Sequence, residues 1–264
     1  MALSISCPEK IGRHGNLTTI NVYLITIKLV LAVMAKRPIF TPKHDTFPFV
    51  EEISLDFEWS AGYAITQAQK SILSLHKAAA QKGISPILEI SSKSPDALGI
   101  SLSAFNLMLQ VEKSRQLSVE CAFQGSKVFE KGGPFTDLYG KSSREAKTDE
   151  RLKNSGEVIA FNFMGEDFPI QPTTAFYDWL YMMALLNNQK YAQELFLYQG
   201  FSDIAFNPEK SINCQARSAA LFVALSKNGK NNVGEIVKNK NMYIDLVIGK
   251  EMKQKPSVQL SLNL

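Results

Sequence analysis

Val119-Glu120-Cys121-Ala122-Phe123-Gln124-Gly125-Ser126-Lys127-Val128-Phe129 is the stretch on which the reading of this chain turns. Taken as one helix ended by Gly132-Gly133-Pro134, it advances about 100° per residue, so Glu120, Gln124 and Lys127 fall at roughly 0°, 40° and −20°. They form a stripe only about 60° wide, and the rest of the circumference is mostly apolar or small. A solvated helix shows the reverse pattern. The stretch is therefore expected to be buried, with a carboxylate, an amide and an amine pointing together into something polar. Two readings stay open at this point. One is a buried ion pair satisfied by Gln124, which carries no function of its own. The other is a cavity in which Glu120 acts as acid and base while Lys127 is a nucleophile or an electrostatic catalyst. Burial lowers the pKa of a lysine, and an adjacent carboxylate raises it.

The chain around this stretch has 264 residues, 45% of them hydrophobic, which is enough to bury one sizeable core and too apolar for a disordered segment. A net charge of +4 excludes a polycationic nucleic-acid coat but leaves room for a local basic groove. Cys7, Cys121 and Cys214 are scattered, as are His14, His44 and His76. No zinc site or disulfide framework is expected from them, and neither metal nor cofactor is called for. Scattered free cysteines suit a reducing, cytoplasmic setting. Leu17–Val33 is mostly apolar, but Lys28 interrupts it and about 20 clean residues are needed to span a bilayer. We read residues 1–35 as an upstream extension, with Met34 as the natural start, and expect no membrane partner.

Further along, Pro38 to Pro48 reads as an extended lead-in. Phe49 to Trp59 alternates apolar with acidic residues and predicts a half-buried strand. Ile65 to Lys82 predicts a helix closed by Gly83. Ile87 to Ile90 predicts a short buried strand before the turn Ser91-Ser92-Lys93. Ile100 to Val111 and Leu117-Ser118 suggest a strand pair. Ser142 to Arg151 predicts an exposed charged helix with Ser143 as its cap, a solvated face that could also follow a phosphate backbone. Thr174 to Leu197 predicts one long buried helix and Asn213 to Leu225 another. The Lys- and Asn-rich end holds one strand-like run, Tyr243 to Ile248. Together these give an α+β protein: a single compact, mostly helical domain over residues 36–226 with a few short strands, followed by a C-terminal extension, 227–264.

Three motifs in order carry a resemblance. Glu120-x-x-Phe123-Gln124-x-x-Lys127 resembles the E-x-x-x-Q-x-x-K helix of the NADAR family, which includes YbiA-like N-glycosidases. Leu102-Ser103-Ala104-Phe105 is similar to that family's L-S-N-F segment, and Trp179 with the following Met-rich helix to its W…VM helix. Glu89-Ile-Ser-Ser-Lys93, Gly132-Gly133-Pro134-Phe135 and Asn207-Pro208 to Arg217 resemble the subgroup of NADAR antitoxins paired with DarT-type DNA ADP-ribosyltransferase toxins. YbiA-like members place an acidic residue before a late W-G pair; Pro208 to Gln215 offers Asn213-Cys214 and no tryptophan there, so that acid is not carried over, and Asp178, Asp203 and Glu209 are only stand-ins for it.

The resemblance implies an N-glycosidase that removes ADP-ribose from guanine in DNA, with ADP-ribosylated DNA and ADP-ribose as ligands and a DarT-type toxin as functional partner. Glu120 and Lys127 would be catalytic, and Gln124 would contact substrate. Two places offer donors to a diphosphate: the turn Ser91-Ser92-Lys93, and the helix opening near Asn213 with Arg217 in its first turns. Ser103 and Phe105 belong to the expected binding wall, and Phe105 and Trp179 are each either core or a stacking platform. Two rival functions remain: an antitoxin that only binds its toxin or ADP-ribose, and a YbiA-like glycosidase of a riboflavin-pathway intermediate.

Overall fold

The structure, a computed structural model, describes residues 33–254 apart from 45–46, 113, 210, 212–213 and 228–232. Apart from Val33, the apolar stretch Leu17–Val33 lies outside the described residues, as does Asn213.

The chain first forms a long hairpin, β1 (Val33–Pro42) against β2 (Val50–Trp59), paired along its whole length from Val33↔Trp59 to Pro42↔Val50. The prolines that suggested only a lead-in are tolerated for a specific reason. β1 touches its second neighbour, β9 (Gly200–Ser202), only at Ile39 and Phe40, so Pro38 sits just outside that pairing and its missing N–H costs no ladder bond there. β9 pairs in parallel with β3 (Ile87–Glu89), giving a mixed sheet in the order β2-β1-β9-β3. Helix α1 (Ile65–Ala80) packs one apolar stripe, Ile72, Leu75 and Ala79, against Ile39, Leu55 and Phe57 of this sheet. Ser71 Oγ accepts from the backbone N–H of Ser60 at 2.9 Å and ties the helix to the strand end.

The other sheet face meets the main core, which is built around α6 (Ala175–Asn187) and α8 (Gln215–Lys227). Both are apolar nearly all round, as expected of helices buried on every side. The predicted long helix from Thr174 breaks at Asn188. The Asn188 side-chain amide donates to the carbonyls of Ala184 and Met108, and the chain resumes as the short α7 (Gln189–Glu194). Two smaller antiparallel units cover the core, the hairpin β4 (Met108–Glu112)–β5 (Arg115–Ser118) and the sheet β6 (Lys127–Phe129)–β7 (Val158–Phe163)–β8 (Glu166–Phe168). Helix α2 (Ala97–Ser101) occupies the start of the expected strand 100–111. Asp96 forms it by accepting from the Leu98 N–H at 2.8 Å.

Three further expectations change. The charged segment 142–151 is two pieces, α4 (Ser143–Thr148) and α5 (Arg151–Asn154), and Ser142 rather than Ser143 is the cap, in a reciprocal capping box with Glu145. The strand-like run 243–248 is helical, within α10 (Lys240–Gln254). Residues 227–264, read as an extension, supply Ile236 and Val237 of α9 (Val233–Lys238) and Tyr243 of α10 to the main core. Among the described residues, no helix is long and apolar enough to cross a membrane. The architecture is α+β, as the sequence predicts.

Candidate active site

The decisive stretch is not one helix. α3 covers only Val119–Gly125 and is capped by Ser118, whose Oγ accepts from the Cys121 N–H at 3.1 Å. It then hands over to β6, so Lys127 begins a strand. The cause lies in the residues between. Gly125 lies where a Cβ would stand 2.5 Å from the Tyr139 ring, and Ser126 Oγ donates back to the Ala122 carbonyl while bonding the Tyr139 hydroxyl at 2.9 Å. Val128 and Phe129 then favour the extended form and pair with β7. The side chains converge all the same. Glu120, Gln124 and Lys127 all line one cavity of about 640 Å³, open on one side.

Glu120 is 5% exposed, and its Oε1 accepts from Gln124 Nε2 at 2.9 Å. This bond turns the amide nitrogen toward Glu120 and its oxygen away. Gln124 Oε1 is buried without a hydrogen-bond partner among the described residues. It is therefore an unpaired acceptor beside the cavity, covered from solvent. Glu120 also lies in the first turn of α3. The Lys127 ammonium lies 4.7 Å from the centroid of the Phe123 ring. Burial lowers its pKa to about 8, against the opposing pull of Glu120 and with a smaller push from Lys147.

The remaining walls come from distant parts of the chain. Ser91, Ser92, Ser103 and Phe105 line the cavity. Lys93 does not: its backbone N–H donates to Ser91 Oγ at 3.2 Å, and its side chain is exposed outside. Trp179 is core rather than platform. It packs on Phe168 with ring centroids 4.7 Å apart, and its Nε1–H donates to the Val237 carbonyl at 2.8 Å. Arg217 also turns away from the cavity, its half-buried guanidinium paired with the buried Asp178, a pair that Thr174 Oγ1 and Ser218 Oγ complete. Of the stand-ins for the family's late acid, Asp178 is thus used structurally. Asp203 lines the cavity, and burial, reinforced by the nearby Glu89 charge, raises its pKa to about 7.

Sequence spacing missed Lys147 and Tyr177 as wall residues and named Asp203 only as a stand-in for the late acid, because the three come from different elements: α4, α6 and the turn after β9. Burial pushes the Tyr177 phenol well above its ordinary range, with Glu120 adding to the effect, so it stays neutral. Gln215 is the clamp that assembles these walls. Its Oε1 accepts from the Ala104 N–H at 2.7 Å, while its Nε2 donates to the Ile90 carbonyl at 2.7 Å and to Asp203 Oδ2 at 2.9 Å.

A concave, partly apolar chamber with convergent polar groups and perturbed acids and amines has the form of a small-molecule or cofactor-sized site. The sequence matches the DarT1-associated NADAR antitoxins over residues 35–257, and the chain belongs to that family. No curated protein matches it. Family membership gives it an antitoxin role opposite a DarT toxin.

Proposed function

We propose that the protein hydrolyses the N-glycosidic bond between ADP-ribose and guanine in DNA, releasing ADP-ribose and restoring the base. The observation that carries this is a buried carboxyl and a lysine of lowered pKa, facing one cavity beside an orphaned acceptor. Such bonds break when the departing amine receives a proton and the anomeric carbon receives electrons.

The pair supplies both. At pH 7 a lysine with a pKa near 8 is neutral in about one molecule in ten, against about one in 3,000 at the usual value. Passing the Lys127 proton through a bridging water to the Glu120 carboxylate leaves a carboxylic acid and a free amine. The amine nitrogen then bonds to the anomeric carbon as the bond from that carbon to the guanine amine breaks, and Glu120 returns its proton to the departing base. Opening of the sugar gives an imine to Lys127. Water adds to it and the amine leaves, which returns ADP-ribose and the starting enzyme. Gln124 holds the Glu120 carboxyl group in place through its amide N–H.

A guanine-ADP-ribosylated oligonucleotide is the test substrate. Wild type is expected to return unmodified oligonucleotide and free ADP-ribose with turnover, and Glu120→Gln and Lys127→Ala to lose at least about 100-fold in rate. Borohydride added during turnover is expected to fix an adduct on Lys127. Stoichiometric retention of modified DNA with no release of ADP-ribose would replace this reading with simple binding.

A further inference from the structure

Lys147 was not part of any motif, yet it stands where the cavity meets solvent. Its ammonium lies 3.9 Å from Glu120 Oε1 and 5.1 Å from the centroid of the Phe105 ring. The two partners of this ion pair differ sharply in exposure: 57% for the Lys147 side chain against 7% for Glu120. Asp203, the cavity's other carboxylate, is also buried. Lys147 is thus the charged wall residue an arriving anion meets first.

Its place is built into the fold. α4 is fixed at its start by the capping box of Ser142 and Glu145. Ser143 Oγ bonds Ser118 Oγ at 2.8 Å and the Phe105 carbonyl at 2.9 Å. Ser118 is the cap of α3, so the segment carrying Lys147 is tied directly to the helix carrying Glu120. An exposed ammonium held at the mouth of a cavity, over an aromatic face and beside a buried carboxylate, has the chemistry to exchange that carboxylate for a phosphate.

We propose that Lys147 is a positioning residue that binds a phosphate of the substrate and, in moving to it, releases Glu120 to act as the acid. The inference rests on the glycosidase reading for its second half. The first half, phosphate binding, stands on the geometry alone. While Lys147 pairs with Glu120 it favours the carboxylate. Once a phosphate takes the ammonium, the Glu120 oxygen that faced it is free to turn to a leaving amine. The phosphate has two sources, the diphosphate of ADP-ribose and the DNA backbone, and both present the same oxygens.

The titratable groups lining the cavity with Lys127 are Glu120 of α3, Lys147 of α4, Tyr177 of α6 and Asp203 after β9. Of these, Lys147 lowers the proton affinity of Lys127 by like charge. Its removal therefore raises that affinity, and the limb of the rate profile that rises as Lys127 loses its proton moves to higher pH.

The test compares wild type, Lys147→Gln and Lys147→Arg by calorimetric titration with free ADP-ribose and, separately, with unmodified single-stranded oligonucleotide, beside pH–rate profiles on the modified oligonucleotide. Loss of at least about tenfold in affinity for one of these ligands in Lys147→Gln, with recovery in Lys147→Arg, is the expected result, and the arm that loses affinity names the source of the phosphate. The rate profile of Lys147→Gln is expected to shift upward in pH. Unchanged affinity in both arms together with an unmoved profile would overturn the proposal. Lys147-dependent binding without turnover by wild type would leave the phosphate site standing, and would instead overturn both the release step and the glycosidase reading.

Discussion

Arg217 and Asp203 show how far a single residue can depart from what its neighbours in sequence suggest. Arg217 sits in the first turns of a helix whose opening resembles an anion site, but it is spent on Asp178, which is 2% exposed. Removing one partner of a buried pair strands the other charge, at a cost of about 3 kcal/mol. Arg217→Met is therefore expected to lower the melting temperature by roughly 6–12 °C while leaving the affinity of the folded protein for ADP-ribose unchanged, as read by thermal denaturation and titration. Asp203 makes the opposite case. Its carboxyl takes up a proton more readily in the fold than in the open chain, so the stability it contributes is complete below its unfolded value near 4 and is lost as pH rises through about 7. Urea denaturation across this window is expected to show wild type losing stability relative to Asp203→Asn. Glu120 and Gln124 were legible because four residues on a helix place them on one face. Tyr177 and Lys147 were not, and Asp203 was named only as a stand-in for the late acid, because the three meet only after the chain has folded on itself.

At the scale of elements, the junction between α3 and β6 positions the amine. Two glycines make it possible. A Cβ at Gly125 would stand 2.5 Å from the Tyr139 ring, and one at Gly133, where φ is +86°, would stand 2.4 Å from the Lys127 carbonyl oxygen. Gly133→Ala combines strain with a clash against the backbone of the catalytic strand. It is expected to cost about 1–3 kcal/mol of stability and to lower the rate at saturating substrate more than the affinity, as measured by denaturation and steady-state kinetics. Sequence periodicity found the buried face of α3 but extended the helix to Phe129, since a helix that ends against a packed tyrosine leaves no local stop signal. The opposite error occurred at Tyr243–Ile248. That run of β-branched residues is held helical because Asn239 Oδ1 accepts from the Met242 N–H and the Tyr243 hydroxyl reaches the Ala175 carbonyl at 3.0 Å. Tertiary contact outweighs propensity there.

For the whole molecule, the described part of the segment read as a tail contributes to the core. Ile236, Val237 and Tyr243 are at most 1% exposed, and Val237 accepts the Trp179 indole bond. Burying three such side chains is worth about 6 kcal/mol, a large share of the 5–15 kcal/mol that holds a domain together. A chain ending at residue 232 is expected to lose cooperative unfolding, monitored by near-ultraviolet circular dichroism and urea titration. The α+β class and the buried central helices could be read from apolar periodicity. The extent of the domain could not, because Lys- and Asn-rich stretches look solvated wherever their few apolar residues are spaced widely.

The start of β6 at Lys127 sets a rule for insertions. Residues on a strand face alternate sides, so lengthening the link after Gln124 by one residue would swing the ammonium behind the sheet and present a neighbour in its place. Only an even step would restore the original parity. The spacing between amide and amine thus behaves as a two-position switch, where the same edit in a continuous helix would merely rotate the amine by about a quarter turn.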